Sequence, residues 1–318
     1  MSTGVNTRHL TALAPPGELV DWRLALSYEA VAGAGVLDAL PGTSAQLAEK
    51  CGLDELALRA LLEVLVAWEL LVVDDAGRYT GGPAELGAQE SAALAQHGVW
   101  IRRWAALAGP RLRERTAQSP LAPERPPTAV GLALLKEASR LGVGEVVDVC
   151  MSTLPGAGRV LDLGGGHGAY ALELRRRGCM VTMQDLPGVI EIASGDGALP
   201  AAGVELVAAD MFERLAPGPF DLVLCATVTN MFDAQKNRDL LKRIRSVLAP
   251  GGALAIVSYL RDHGPVGAVF GVQMLVATPG GDAHGEADYR QWLTEAGYGD
   301  VEVADIETPP LSVVVARY

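Results

Sequence analysis

The sequence predicts an α/β protein: a doubly wound sheet of seven strands, the last antiparallel, preceded by a mainly helical winged-helix domain. Three observations carry this. From residue 160 onward short apolar runs alternate with amphipathic stretches, the signature of parallel strands joined by helices. The first run, Val160–Leu163, passes straight into Gly164-Gly-Gly-His-Gly168 and then Tyr170-Ala-Leu-Glu-Leu-Arg-Arg-Arg177, a strand, a glycine turn and a helix. Before residue 110 the chain instead reads helix, turn, helix, hairpin.

Residues 21–40 read as helix, with Trp22, Leu24, Leu26, Val31, Val36 and Leu37 recurring at helical spacing around a Gly33-Ala-Gly35 break. Thr43 to Gly52 is a short helix opened by a hydroxyl cap and closed by glycine. A second helix runs from Asp54 to Leu70 on Leu56, Leu61, Leu62, Leu65, Val66 and Trp68, and Leu70 to Thr80 turns as a hairpin at Asp75-Ala-Gly77. That order raises the question of DNA. The second helix, however, offers Asp54, Glu55, Arg59, Glu63 and Glu69, four acids against one base, which phosphates would repel. Packing or dimerisation suits it better.

Residues 87–109 form a further helix with His97, Trp100, Ile101 and Trp104 on one face. Residues 110–128 hold five prolines and four arginines and read as a linker or lid. A helix from about Ala129 to Met151 leads into the glycine strand. Strands follow at 160–163, 179–184, 204–208, 220–226, 253–259, 301–306 and 311–317. The last two are joined only by Glu307-Thr-Pro-Pro310, too short for a parallel crossover, so the final strand is antiparallel. The expected division is 1–109 for the winged-helix domain, 110–155 for the linker and connecting helix, and 156–318 for the cofactor-binding sheet.

Composition narrows the partners. At 318 residues, 49% apolar and 20% charged, the chain has the balance of an ordinary globular protein of about two domains. A formal charge of −12 speaks against nucleic acid or an anionic membrane. No apolar run is long enough to span a bilayer, and the N-terminus lacks a basic segment leading into an apolar one. Cys51, Cys150, Cys179 and Cys225 lack metal or redox spacing and read as reduced thiols of a cytoplasmic protein.

The glycine loop fits two ligands. Gly164-x-Gly166-x-x-Ala169 matches a dinucleotide fingerprint, and Gly164-x-Gly166-x-Gly168 an S-adenosylmethionine loop; a plain tight turn fits as well. Asp185 ends the second strand, 23 residues after Asp162, where a carboxylate can accept both ribose hydroxyls of either cofactor. Asp162 sits on the strand just before the glycines, where the dinucleotide fold keeps an apolar residue. Asp210, Met211 and Phe212 end the third strand, an acid and two large apolar groups suited to an adenine.

Val160-Leu-Asp-Leu-Gly-Gly-Gly-His-Gly168, Asp185-Leu-Pro-Gly188, Asp210-Met-Phe212, Phe220-Asp-Leu-Val-Leu224 and Leu248-Ala-Pro-Gly-Gly252 resemble the successive motifs of class I S-adenosylmethionine-dependent methyltransferases. More narrowly, nearly the whole chain resembles the small-molecule O-methyltransferases with an N-terminal winged-helix dimerisation domain. The resemblance implies a Rossmann-like fold, a homodimer, and a pocket between two domains for an aromatic, secondary-metabolite-type substrate. It implies that Gly164 and Gly166 lie against the methionine part of S-adenosylmethionine. Asp185 would hold the ribose with Leu186 beside the adenine, Asp210 and Met211 would bracket that ring, and Phe212 would pack nearby. Cys225 to Thr227 would line the sulfonium end. No metal is implied.

One departure matters. Members acting on alcohols and phenols usually carry a histidine base in a His-Asp-Trp-like segment after the fourth strand. Here that segment reads Thr229-Asn-Met-Phe232, with Asn230 in the histidine's place. An amide cannot accept the proton, although it can orient a substrate. Three explanations stand. The acceptor is already a strong nucleophile, of oxygen, nitrogen or carbon. Another base serves, His263 first and His97, His284 or Tyr259 after it. Or the chain binds the cofactor without methylating anything. Trp100, Trp104, Met231, Phe232, Phe270 and Met274 are candidate substrate walls, or plain core. The leading expectation is a dimeric methyltransferase of a small aromatic metabolite, most simply on oxygen. A winged-helix ligand sensor is the reading from another class.

Overall fold

A computed structural model of the chain describes residues 20–84, 86–123, 128–156, 158–307 and 310–318. The expected features at 1–19, the centre of the linker at 124–127 and residues 308–309 of the final turn lie outside the described residues. The described chain forms two compact units. One comprises residues up to Gly109 with Gln118–Pro123, the other Pro110–Ala117 and the chain from 124 onward.

The first unit contains α1 (Trp22–Gly33), α2 (Val36–Ala39), β1 (Gly42–Thr43), α3 (Ser44–Cys51), α4 (Glu55–Ala67), β2 (Leu71–Val73), β3 (Arg78–Gly81) and most of α5 (Ala88–Arg113). Thr43 opens α3 with a capping box, its side chain accepting the Gln46 N–H while Gln46 accepts the Thr43 N–H. Asp54 caps α4 from one side only, its side chain accepting the Ala57 N–H. That helix stops at Ala67, short of the expected Leu70, because Glu69 adopts a left-handed φ of 61° that leads into β2. The strands pair as β1-β3-β2. Leu24, Tyr28, Val31, Leu47, Leu62, Leu65 and Leu94 form the core.

Two expectations need correction. The linker does not begin at 110, because α5 continues through Pro110 to Arg113. A proline late in a helix forfeits one hydrogen bond, and Arg111 anchors the last turn on the Leu275 and Thr278 carbonyls. The single helix expected from 129 to 151 is two, α6 (Ala129–Ser139) and α7 (Val143–Thr153), separated by a turn in which the Gly142 N–H meets the Ser139 carbonyl. Their surroundings differ. α7 buries Val143, Val146, Val147 and Cys150, whereas Val130 and Leu135 on α6 are exposed.

The sheet of the second unit comprises β4 (Arg159–Leu163), β5 (Met180–Asp185), β6 (Glu205–Ala208), β7 (Phe220–Ala226), β8 (Leu248–Ser258), β9 (Gly299–Ile306) and β10 (Leu311–Arg317). Its helices are α8 (Ala169–Arg176), α9 (Pro187–Ala193), α10 (Ala198–Ala201), α11 (Ala234–Arg245), α12 (Pro265–Ala277) and α13 (Glu286–Glu295). Strand order is β6-β5-β4-β7-β8-β10-β9, parallel from β6 to β8, with β10 antiparallel to both its neighbours. The antiparallel last strand was expected; it inserts between β8 and β9. Alternate residues of each strand enter separate cores: Val160, Leu222 and Val313 with α7 and α8 on one face, Leu161, Val223 and Val314 with α11 and α13 on the other. Both faces are therefore covered, as a continuously apolar parallel strand requires. Strand order reverses between β4 and β7, which places the ligand crevice at the carboxyl ends of those strands.

Candidate functional site

The β4–α8 turn is shaped for close approach. Gly164 has φ 71°, and a Cβ there would sit 2.4 Å from Val228 Cγ2. At Gly165 a Cβ would meet Met183 Cγ at 2.5 Å and Asp162 Oδ2 at 3.0 Å. Directly beneath lies Asp162, 1% exposed, with neither carboxylate oxygen in a hydrogen bond. Burial, then the nearby Asp185 carboxylate, pushes its pKa up to about 7 against the lowering pull of the Ala171 amide. An unpaired buried carboxylate is costly unless a cation or donor joins it.

Asp185, at the end of β5, accepts the Gly166 N–H at 2.9 Å on one oxygen and the Leu186 N–H at 2.7 Å on the other. Burial raises its pKa while those amides draw it down. Each oxygen keeps a lone pair for a pair of vicinal hydroxyls. Leu186 follows with 48% exposure, an apolar surface at the strand end suited to a flat ring. Beyond β6, Asp210 accepts the Phe212 N–H at 2.8 Å, which fixes the loop carrying Met211 and Phe212. Met211 and Phe212 pack partly on the core, Phe212 edge-on to Phe232 at 4.9 Å. At the end of β7, exposed Thr227 is held at φ 53°, a strained conformation for a β-branched residue. Its N–H is tied to the Val257 carbonyl at 2.7 Å.

These residues come from the carboxyl ends of four adjacent strands, so the fold brings Asp162, Gly164, Gly166, Asp185, Leu186, Asp210, Met211, Phe212 and Thr227 to one edge. Three carboxylates there favour a ligand with cationic groups. A pyrophosphate would be repelled by Asp162. This set of acceptors therefore fits S-adenosylmethionine, whose methionine end carries an ammonium and a sulfonium, better than a dinucleotide.

Asn230 lies in a 3-10 turn, Thr229–Met231, after β7. It is 3% exposed; its Nδ2 points at Met274 Sδ at 2.8 Å, and its Oδ1 has no partner. Asn237 of α11 braces the turn by donating to the carbonyls of Thr229 (2.9 Å) and Phe232 (3.2 Å). His284 Nε2 also reaches the Phe232 carbonyl at 2.9 Å, and the Asp282 N–H donates to the Asn230 carbonyl at 3.0 Å. Asn237 went unremarked in the sequence; its one signal was an asparagine on the apolar face of a helix. Arg111 and Arg115 were likewise read only as linker charge, yet Arg115 donates to the carbonyls of Gly280 and Gly281.

The base candidates sit as follows. His263 has both ring nitrogens engaged by carboxylates, Nδ1 with Asp305 at 2.8 Å and Nε2 with Glu286 at 3.0 Å. Burial alone would lower its pKa, but those acids hold it above the usual imidazole value. With both ring nitrogens engaged by carboxylates it is a clasp, and neither nitrogen is open to a substrate, which corrects its expected role as substitute base. His284 is buried edge-on to Trp292 and Tyr289, and burial depresses its pKa. Tyr259 packs on Phe270 with the rings tilted at 44° and their centroids 4.6 Å apart, and burial drives its hydroxyl up to about 12. Met231 is 47% exposed, Phe270 buried and Met274 half-buried. Trp100 and Trp104 are half-buried on the α5 segment of the first unit, where His97 is buried with Nδ1 unpartnered.

A family model described as an O-methyltransferase domain matches residues 123–299. The 3-hydroxy-5-methyl-1-naphthoate 3-O-methyltransferase of Streptomyces sahachiroi is 35% identical over 173 residues, 51% of this chain and 49% of that protein. The chain spans about half the length of the curated relatives it matches. Among solved structures, mitomycin 7-O-methyltransferase superposes with a TM-score of 0.72 at 21% identity, covering 93% of this chain and 94% of that one. N,N-8-amino-8-demethyl-D-riboflavin dimethyltransferase of Streptomyces davawensis gives 0.69 at 21% identity, covering 93% and 96%. At that identity these two establish the fold.

Proposed function

The chain belongs to the O-methyltransferase family, and on that premise we propose that it transfers the methyl group of S-adenosylmethionine to a small aromatic acceptor. The observation that carries this is the unpaired, buried Asp162 beneath the glycine turn. In this reading Asp162, Gly164 and Gly166 hold the methionine end and Asp185 binds the ribose hydroxyls. Leu186, Asp210, Met211 and Phe212 enclose the adenine, and Thr227 faces the sulfonium. The cofactor supplies an electrophilic methyl. The chain's part is alignment of the acceptor and exclusion of water, from which an in-line displacement draws much of its acceleration.

Met231, Phe270 and Met274 are the proposed walls of the acceptor site. Oxygen is the acceptor in the naphthoate relative by its name. The riboflavin neighbour is named for dimethylating an amino compound, and Asn230 in the histidine's place favours that second reading. The winged-helix character of the first unit, a homodimer, a role in secondary metabolism and a cytoplasmic location belong to the same proposal. None of the four cysteines is joined in a disulfide, which supports the last of these. No described helix is long and apolar enough to cross a membrane.

Calorimetry with S-adenosylmethionine and S-adenosylhomocysteine tests the cofactor. Both should bind, and Asp185→Ala should weaken them roughly 10- to 100-fold, since hydrogen bonds to a charged group contribute about 1.5–3 kcal/mol. Absence of binding at millimolar concentration would refute the reading.

A further inference from the structure

We infer that Asn230 is the specificity-determining contact for the methyl acceptor, taking a hydrogen bond from an N–H on the reacting atom, so that the acceptor is an aromatic amine. The inference rests on the methyltransferase reading above and names its substrate class.

The geometry sets which end of the carboxamide is on offer. A thioether sulfur only accepts, so Met274 Sδ at 2.8 Å fixes the Nδ2 end. The opposite end, Oδ1, is buried without a partner. Rotation of the turn cannot relieve it, because Asn237, His284 and the Asp282 N–H pin the backbone on both sides. A buried, rigidly held carbonyl oxygen with nothing to accept calls for a donor from the ligand.

Acceptor chemistries then separate. A phenolate or carboxylate has no proton to donate and would set its charge against a carbonyl oxygen. A neutral phenol can donate its proton to Oδ1, but it must lose that proton to react, and an amide does not take it up. A carbon nucleophile carries no donor at the reacting atom. An aromatic amine meets both demands, with an N–H for Oδ1 and a separate lone pair for the methyl carbon. The nitrogen lone pair forms the N–C bond as the methyl's C–S bond breaks with its electron pair left on sulfur. Positive charge passes to nitrogen, and the resulting arylammonium, a far stronger acid than a neutral amine, gives its proton to bulk water once the product leaves the site. No enzyme base is required. His263 is closed on two carboxylates, and His167 spends Nδ1 accepting the Ala169 N–H.

The test uses the full chain with saturating S-adenosylmethionine and compares 2-aminonaphthalene with 2-naphthol as methyl acceptors. Both can donate to Oδ1, but only the amine keeps a lone pair for the methyl carbon, so it should be methylated at least tenfold faster. Asn230→Leu, which removes the accepting oxygen, should slow methylation of the amine at least tenfold. Unchanged S-adenosylhomocysteine affinity certifies the variant as folded. Equal rates, a faster phenol, no methylation of either probe at millimolar concentration, or an amine rate that Asn230→Leu leaves unchanged each overturn the inference. Failure of S-adenosylhomocysteine to bind the native chain would instead overturn the cofactor reading.

Discussion

Asp162 has a cost in the ligand-free protein that depends on pH. Its folded pKa, about 7, lies above the ordinary 3.8, so the folded state binds the extra proton more tightly than the unfolded chain. Stability from this group is full below about pH 4 and is lost as pH rises through about 7. Three pKa units correspond to roughly 4 kcal/mol as an upper figure. Melting temperatures of the ligand-free chain should therefore fall across that window more steeply in the native protein than in Asp162→Asn; parallel curves would remove Asp162 as the cause. A cationic ligand reverses the shift, so binding near pH 6 should release a proton. Titration in two buffers of different ionisation enthalpy reads that release, and identical apparent enthalpies would count against contact between the ligand's ammonium and Asp162. The residues of this edge were legible because the glycines, Asp162 and Asp185 sit at sequence positions tied to strand ends. The pairing of His263 was not, since Glu286 and Asp305 lie on elements 23 and 42 residues away.

At the scale of elements, two devices hold the site. The β4–α8 turn tolerates no side chain at Gly165, where a methyl would press on Met183 and Asp162 together. Gly165→Ala should weaken S-adenosylhomocysteine binding more than it lowers the melting temperature, because overpacking here lifts the loop off its ligand face. An unaltered affinity would show the turn to be plain structure. The second device ties the loop before α12 to α13 and β9 through His263, Glu286 and Asp305, with Arg290 on Glu286, Ser312 on Asp305 and Asp262 receiving the Glu286 N–H. The folded pKa of His263 is raised, so its stabilisation is complete below its ordinary 6.5 and is lost as pH climbs through the higher folded value. His263→Asn should flatten the alkaline limb of the melting curve; a limb that stays as steep assigns the pH dependence elsewhere. Sequence periodicity located the strands because both faces of a parallel sheet are apolar. It ran α6 into α7 because both are apolar, and only burial distinguishes a helix on the core from one whose Val130 and Leu135 stay in solvent.

For the whole molecule, the pattern that made the sheet legible says nothing of what meets an exposed apolar helix. α6 carries Ala129, Val130, Leu132, Ala133, Leu134 and Leu135 within eleven residues, and the turn after it adds exposed Leu141. A chain of net charge −12 has polar residues to spare for such a surface, so large apolar side chains left there mark a contact. A second copy of the chain is the occupant proposed here, at a place apart from the N-terminal domain through which the family resemblance implied a homodimer. Symmetry gives each protomer the same patch to offer, so one apolar helix covers its counterpart. Sedimentation at micromolar concentration should then report twice the 33.2 kDa of the chain. Val130→Glu combined with Leu135→Glu should shift the species to monomer, because two charges would be buried without partners at the contact. S-adenosylhomocysteine binding, whose proposed ligands all lie between Asp162 and Thr227, should survive that change. A native chain that sediments as a monomer, or a charged variant that stays dimeric, would remove α6 as the dimer contact while leaving the cofactor site untouched.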